Sequence, residues 1–264
     1  ADSLEARPAD AILAEMRSTA KRHEEPEKAV EAIRAVRRRE LLRLAMADVL
    51  KRPPAHVLGE ALAAVMSGTI DATFEVVARA VDSPPRLAVI AMGRWGGREI
   101  SFGSDADAMV VMADTDDPDA LRKATGMTSE VRRLLRLPGP DPILEIDLDL
   151  RPEGKGGPIV RSLASYKAYY ERWSSTWEAQ ALLRASTGAG DRELAADFLT
   201  AIDPRRYAAD GLQPKQLTEI RKLKARMEAE RLPRGTDPRR HVKLGPGGLS
   251  DVEWTVQILQ MEHA

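Results

Sequence analysis

Two aspartates separated by one residue stand where a buried strand is expected to begin. Asp105 and Asp107 lie in the run Gly103-Ser104-Asp105-Ala106-Asp107, which leads directly into the apolar segment 108–112. Residues two apart on a strand point to the same face with Cα atoms roughly 6.5 Å apart, so these carboxylates could hold Mg²⁺ ions. The pair also fits a turn in which Asp side chains cap backbone amides, and taken alone it favours that turn.

Glycines upstream of this pair could bring backbone amides close to phosphate oxygens. An apolar segment at 87–92 predicts a buried strand, and the glycine-rich run 93–97 follows it. Amides in such a loop can bind phosphate, although an ordinary tight turn explains the glycines equally well. The spacing matches neither the dinucleotide-binding fingerprint nor the P-loop.

A third predicted strand, 143–150, supplies more acidic groups. Its alternation places leucine and isoleucine side chains on one face and Glu145, Asp147, Asp149 and Arg151 on the other. Any of the three acids could complete a metal site, and periodicity does not choose among them. Arg151 could neutralise a phosphate or pair with Asp149.

Helical segments flank these three strands. Apolar residues recur at helical spacing through about 8–81, and again at 121–137, 165–184, 191–201 and 214–231. We therefore predict an α+β fold: a small mixed sheet at 84–160, a helical region at 1–83, and a helical region at 161–264 that completes the site. The arginine run Arg37-Arg38-Arg39 is interpreted as a solvated helix face. The last helix, with Ser250 and Glu253 at capping-box spacing, still runs at His263, so we expect a fragment of a longer protein.

Composition excludes some classes of site. There is no cysteine, so disulfides and thiolate metal sites are excluded, and the four histidines lack zinc-like spacing. The 40 basic and 41 acidic residues leave a net charge of −1, which argues against nucleic acid as a partner. No uninterrupted apolar run approaches the roughly 20 residues of a transmembrane helix. We expect a cytoplasmic protein that does not act on a membrane.

Several ordered motifs resemble the bacterial glutamine synthetase adenylyltransferase family, large enzymes with two related nucleotidyltransferase halves of the DNA polymerase β type. The likeness runs from about residue 87 to the end of the chain. Its motifs are Arg94-Trp95-Gly96-Gly97-Arg98-Glu99, Gly103-Ser104-Asp105-Ala106-Asp107, Ile146-Asp147-Leu148-Asp149-Leu150-Arg151-Pro152, Trp177-Glu178-Ala179-Gln180-Ala181-Leu182-Leu183-Arg184, Val242-Lys243-Leu244 and Gly247-Gly248-Leu249-Ser250-Asp251-Val252-Glu253-Trp254. The family usually carries Arg where this chain has Asp149, and often Lys where it has Arg94.

The resemblance implies a set of site residues. Asp105, Asp107 and Asp147 would be the catalytic carboxylates that hold two Mg²⁺ ions, with Mn²⁺ as an alternative, and ATP would be the substrate. Gly93, Gly103 and Ser104 would contact the triphosphate. Positive charge would come from Arg94, Arg151, Arg184 and Lys243; Arg184 would share a helical face with Trp177 and Gln180, and its alternative is an ion pair on a packing helix.

The resemblance also implies a reaction. The motif from Trp177 to Arg184 is similar to that of the carboxy-terminal half, which transfers AMP from ATP to a tyrosine of glutamine synthetase and so regulates nitrogen assimilation. The alternatives are the other half's reaction, phosphorolytic removal of AMP, and a non-catalytic module that binds nucleotide or a regulator. PII signal proteins, which regulate the whole two-headed enzyme in this family, are expected partners of the full-length protein.

Overall fold

The computed structural model describes residues 4–233 and 235–263. Contacts divide the chain into two compact units. The first unit extends to Tyr166 and also includes Arg184–Leu199. The second comprises Lys167–Leu183 and the residues from Thr200 onward. The three-part division predicted from sequence stays a prediction.

Three helices form the amino-terminal part of the first unit, as the helical spacing predicts: α1 (Ala9–Ala20), α2 (Pro26–Lys51) and α3 (Ala55–Ala78). Helix α2 starts at a proline, whose fixed φ suits the first helical position. It ends at Lys51, and the C-cap residue Arg52 adopts a left-handed conformation (φ 50°). Helix α3 is long and apolar enough to cross a membrane, but 67% of its most apolar window is buried inside the protein. It is the central core helix of this unit.

A five-stranded mixed sheet packs against these helices. Its strands are β1 (Leu87–Ala91), β2 (Ala106–Met112), β3 (Ile146–Asp147), β4 (Val160–Ser162) and β5 (Ser186–Gly190). The strand order is β3-β2-β1-β5, and β4 also pairs with β2. The β1–β2 and β1–β5 pairs are antiparallel, whereas β3 and β4 run parallel to β2. The predicted α+β class with a small mixed sheet is confirmed. Helix α4 (Gly93–Gly96) lies between β1 and β2 in the chain, and α5 (Ala120–Leu135) lies between β2 and β3.

The third strand is much shorter than predicted. The alternation predicts a strand over 143–150, but β3 contains only Ile146 and Asp147. Leu144, Ile146 and Leu148 are all buried, as the alternation requires. The burial pattern is therefore right and the extent of the hydrogen-bonded strand is wrong, because β2 pairs with β3 only at its first two residues and pairs with β4 from Val110 onward.

The remaining helices are α6 (Leu163–Arg172), α7 (Thr176–Leu182), α8 (Arg192–Arg206), α9 (Pro214–Arg231) and α10 (Leu249–His263). The single helix predicted over 165–184 is wrong, because the helix is interrupted between Arg172 and Thr176 and forms α6 and α7. Helix α7 opens with a capping box, in which the Glu178 carboxylate accepts from the Ser175 backbone N–H at 2.8 Å. Helix α10 begins one residue before Ser250, so Ser250 is not its N-cap. Ala179, Leu183, Ile220 and Met261 form the core of the second unit.

The solvated face predicted for the arginine run on α2 is confirmed for Arg38 and Arg39 and is wrong for Arg37. Arg37 is buried at 6% exposure, and so is Arg34 one turn earlier at 5%. Only Arg38 and Arg39 have largely exposed side chains. Arg34 and Arg37 donate to backbone carbonyls of a loop more than 100 residues later in the chain, a partner that no local charge pattern reveals.

Candidate functional site

Asp107 and Asp147 occupy neighbouring positions on paired strands. In the parallel β2–β3 pair, Ala106 is opposite Ile146 and Asp107 is opposite Asp147. Adjacent strands lie about 4.8 Å apart, so the two carboxylates leave the sheet side by side. Both are half-buried. Of the three acids that alternation leaves open, Asp147 is the one beside Asp107.

Asp105 lies two residues before Asp107, just ahead of the first residue of β2. It is exposed. The three predicted carboxylates therefore belong to the first residues of β2 and β3 and to the residue just before β2. Within 4–233 and 235–263, no three His, Asp or Glu side chains are close enough together to hold a metal ion as they stand.

Gly93 lies directly against the Asp107 carboxylate. It has a φ of +52°, and a Cβ built on it would lie 2.3 Å from Oδ2 of Asp107. The backbone N–H of the preceding residue, Met92, donates to the Asp107 carbonyl at 2.8 Å. Glycine is needed here for two reasons: the left-handed conformation and the space taken by the carboxylate. The glycine run therefore contacts β2 at Asp107.

The other two acids near β3 have basic partners. The Glu145 carboxylate lies 3.7 Å from Arg136. Asp149 lies 3.3 Å from Lys155 and 3.7 Å from Arg151, and its backbone N–H donates to Oδ1 of Asp147 at 2.7 Å. Asp149 thus takes the ion-pair role that the sequence left open, and its amide orients the neighbouring carboxylate.

Arg151 is held in the loop that follows β3. It is 6% exposed, and its guanidinium donates to the carbonyls of Leu148, Lys155 and Gly157 at 2.7, 3.2 and 3.0 Å. These bonds fix the glycine-rich turn after the strand. A direct contact of Arg151 with phosphate stays a prediction.

The predicted triphosphate contacts Gly103, Ser104 and Arg94 precede Asp105 in the chain. Gly103 is exposed, with no atom within 4 Å of a Cβ placed on it. The Ser104 hydroxyl is 8% exposed and accepts from the Ser101 backbone N–H at 2.9 Å, so it shapes its own loop. Arg94, on the short helix α4, is exposed.

Arg184 does not share a helical face with Trp177 and Gln180, because α7 ends at Leu182. It belongs to the first unit, where its guanidinium lies 3.4 Å from Glu99. A Cβ placed on Gly96 would lie 1.9 Å from its carbonyl oxygen. Arg184 thus packs beside the glycine run. In the second unit, Gln180 donates to Gln257 at 2.7 Å, and Lys243 is exposed.

Comparison with known proteins identifies the family. The model of the family described as glutamate-ammonia ligase adenylyltransferase matches residues 2–201. A bifunctional glutamine synthetase adenylyltransferase/adenylyl-removing enzyme from Cutibacterium acnes is 55% identical over 253 residues, which cover 96% of this chain and 26% of the relative. Relatives of the same name from Streptomyces avermitilis and Mycobacterium tuberculosis are 51% and 47% identical, over 90% and 99% of this chain.

The chain spans about a quarter of the length of these relatives. The family model covers the whole sheet, which includes the strands that carry Asp107 and Asp147, and the glycine run that precedes β2. The resemblance carried by the ordered motifs is therefore confirmed, and the chain belongs to the glutamate-ammonia ligase adenylyltransferase family.

Proposed function

We propose that this chain transfers AMP from ATP to a tyrosine hydroxyl of glutamine synthetase. The observation that carries the proposal is the side-by-side placement of Asp107 and Asp147 on paired strands, with Gly93 against the first carboxylate. The relatives named as adenylyltransferases for glutamine synthetase support the substrate. The net charge of −1 argues against a nucleic-acid acceptor.

The acidic site fits divalent cations by its chemistry. Mg²⁺ and Mn²⁺ favour carboxylate oxygens, and Asp105, Asp107 and Asp147 supply these at one end of β2. Bringing the three together requires side-chain rotation, because they do not form a closed cluster as they stand. When bound, the ions would neutralise the triphosphate and lower the pKa of the attacking hydroxyl.

The chain's own residues would orient the reactants. Gly93, Gly103 and Ser104 would contact the triphosphate with their backbones, and Arg94, Arg151, Arg184 and Lys243 would supply positive charge. The tyrosine oxygen would form a bond to the α-phosphorus, the bond from that phosphorus to the pyrophosphate oxygen would break with pyrophosphate as the leaving group, and the hydroxyl proton would pass to a site carboxylate or to water. Asp147, oriented by the amide of Asp149, would face the attacking side together with Asp107.

The adenylylating direction rests on the motif Trp177 to Arg184. The removing reaction is the second candidate, because the relatives' names include it. Two reactions separate them: unmodified glutamine synthetase with labelled ATP and Mg²⁺, and AMP-modified glutamine synthetase with phosphate. We expect label on the tyrosine in the first and little release of ADP in the second. The reverse outcome would establish the removing activity.

The double variant Asp105→Asn/Asp107→Asn tests the site itself. Asn keeps the size of the side chain and removes the charge, so we expect the variant to fold and to transfer no AMP. Full activity of this variant would show that Asp105 and Asp107 are not catalytic residues. A cytoplasmic location and regulation of the full-length protein by a PII signal protein belong to the same proposal, and co-purification with such a protein tests the latter.

A further inference from the structure

Two buried arginines of α2 hold the loop that leads into β3. Arg34 donates to the carbonyls of Leu137 and Asp141 at 2.6 and 2.7 Å. Arg37 donates to the carbonyl of Pro142 at 2.7 Å. Both arginines come from one face of the helix, three residues apart. A single helix thus binds this loop at three successive points.

The sequence of the loop explains why it needs donors from elsewhere. Pro138, Pro140 and Pro142 have no N–H group, so the loop has fewer backbone donors for its own carbonyls than a regular turn. Buried carbonyls need donors, and arginine offers five N–H groups in a rigid fork. Arg38 adds an ion pair to the Asp141 carboxylate at 2.7 Å.

This loop determines where Asp147 lies. The two-residue strand β3 begins four residues after Pro142, and few hydrogen bonds hold it in place. Leu144 donates to the Leu135 carbonyl at 3.1 Å, and the Glu145 carbonyl accepts from Ala106 at 2.9 Å. Arg132 donates to the Ile146 carbonyl at 3.2 Å. Such a short parallel pairing is weak by itself, so its register depends on the segment before it.

We propose that Arg34 and Arg37 are positioning residues that fix Asp147 beside Asp107 by holding the proline-rich loop ahead of β3. They act through the loop and contact neither Asp107 nor Asp147. This inference rests on the proposed function, in which Asp147 is one of the catalytic acids.

The positive charge of Arg37 supports this role at neutral pH. Burial, together with the neighbouring Arg34 charge, lowers the pKa of Arg37 to about 10, so the guanidinium remains charged and keeps all its donors. A buried charged donor bound to carbonyl oxygens is costly to remove, because the carbonyls lose their partners. The loop is therefore sensitive to the loss of either arginine.

The test compares Arg34→Met, Arg37→Met and Arg37→Lys in the full 264-residue chain. Arg39→Met is the matched control, because Arg39 is on the same helix and pairs with Glu15 and not with the loop. Each protein is measured for hydrogen exchange over 143–149, for thermal unfolding, and for kcat and KM of AMP transfer. Binding of Mn²⁺ with a non-hydrolysable ATP analogue is measured by calorimetry.

We expect both Met variants to exchange about tenfold faster over 143–149 while α3 stays protected. We expect kcat to fall about 100-fold, as for a misplacement of about 1 Å, with little change in KM for ATP. Arg37→Lys should recover part of the loss, since it restores one donor, and the control should behave as the wild type. Wild-type kcat in both Met variants would overturn the proposal, as would an equal loss in the control.

Failure of the proposed function gives a different result. If the wild-type chain transfers no AMP, the positioning role is decided by exchange and by Mn²⁺ binding. Faster exchange with weaker Mn²⁺ binding in the Met variants would support the positioning role of Arg34 and Arg37. Unchanged Mn²⁺ binding would overturn it.

Discussion

The Cα of Gly93 lies against the carboxylate of Asp107, so that a Cβ on Gly93 would come within 2.3 Å of Oδ2. This contact joins the glycine run to the acidic strand. It also limits where the carboxylate can rotate, because one side of it is occupied by backbone. The glycine is therefore part of the acidic site as well as a phosphate-contact candidate.

Replacing Gly93 with alanine should displace the Asp107 carboxylate. We expect AMP transfer to fall about 100-fold, the loss typical of a misplacement of about 1 Å. The left-handed backbone at Gly93 (φ +52°) adds a destabilisation of about 1 kcal/mol. Initial rates with labelled ATP and denaturant unfolding measure the two effects. Transfer at the wild-type rate would show that the carboxylate does not act from its present position.

The Gly126→Ala variant is the matched control and a prediction in its own right. Gly126 is on α5, exposed, with no atom within 4 Å of a Cβ placed on it. Because glycine in a helix interior costs about 0.5–1 kcal/mol relative to alanine, this variant should be more stable than the wild type by that amount and equally active. A lower unfolding midpoint would contradict this reasoning.

The pairing of Asp107 with Asp147 predicts a metal-dependent change in stability. Like charges opposite each other on paired strands are unfavourable, so Asp147→Asn should match or exceed wild-type stability in EDTA. Asn keeps an oxygen that can accept from the Asp149 amide. With Mn²⁺ and ATP at about 100 times their Kd, the wild type should gain about 2.7 kcal/mol, and the variant should gain much less. Thermal unfolding under both conditions measures the difference.

Equal stabilisation of the two proteins by Mn²⁺ and ATP would remove Asp147 from the ligand set. A wild type that is less stable with metal than with EDTA would contradict a metal site at this end of β2 altogether.

Some features of this site follow from local sequence and others do not. Strand β2 occurs where the apolar run predicts it, because a buried central strand needs little beyond its own apolar residues. Strand β5 consists of Ser, Thr, Gly and Ala, which are mostly weak strand formers, so only its pairing with β1 makes it a strand.

Arg37 shows more clearly what local sequence does not determine. A run of three arginines with acids nearby is usually a solvated face, and Arg39 is indeed mostly exposed. The partner of Arg37 is a carbonyl 105 residues away, so its burial follows from the tertiary fold alone. Likewise, alternation made Glu145, Asp147 and Asp149 equivalent, and only the register of β3 on β2 separates them.

Asp149 gives a prediction that distinguishes an ion pair from a metal ligand. It lies 3.3 Å from the exposed Lys155 and 3.7 Å from the buried Arg151, and an exposed pair such as the first contributes about 0–1 kcal/mol. Asp149→Asn should therefore change AMP transfer little, and Asp147→Asn should abolish it. The backbone N–H of residue 149, which orients Asp147, is present in both variants. A Mg²⁺ titration of each variant is the measurement. A large rise in the Mg²⁺ requirement for Asp149→Asn would make Asp149 a ligand.

Asp191 gives a pH-dependent prediction away from the acidic site. Its side chain accepts from Arg86 at 2.6 Å and from the Leu194 backbone N–H at 3.0 Å at the start of α8. The Arg86 hydrogen bond, with the Leu194 amide, holds the pKa of this carboxyl below its ordinary value. A lowered pKa stabilises the fold above the unfolded-state value of about 3.9, and that stabilisation is lost as pH falls further through the folded-state pKa.

Asp191→Asn keeps an oxygen that can cap the helix and removes the charge. Because Arg86 is largely exposed, we expect the wild type to be more stable by at most about 1 kcal/mol at pH 7. The difference should shrink below about pH 4 and in high salt, where the pair is screened. Urea unfolding of both proteins between pH 3 and pH 7 (roughly the range over which an Asp carboxyl ionises) measures it. A difference that stays constant across this range would mean that the ionised carboxylate contributes nothing here, and that the cap alone holds the start of α8.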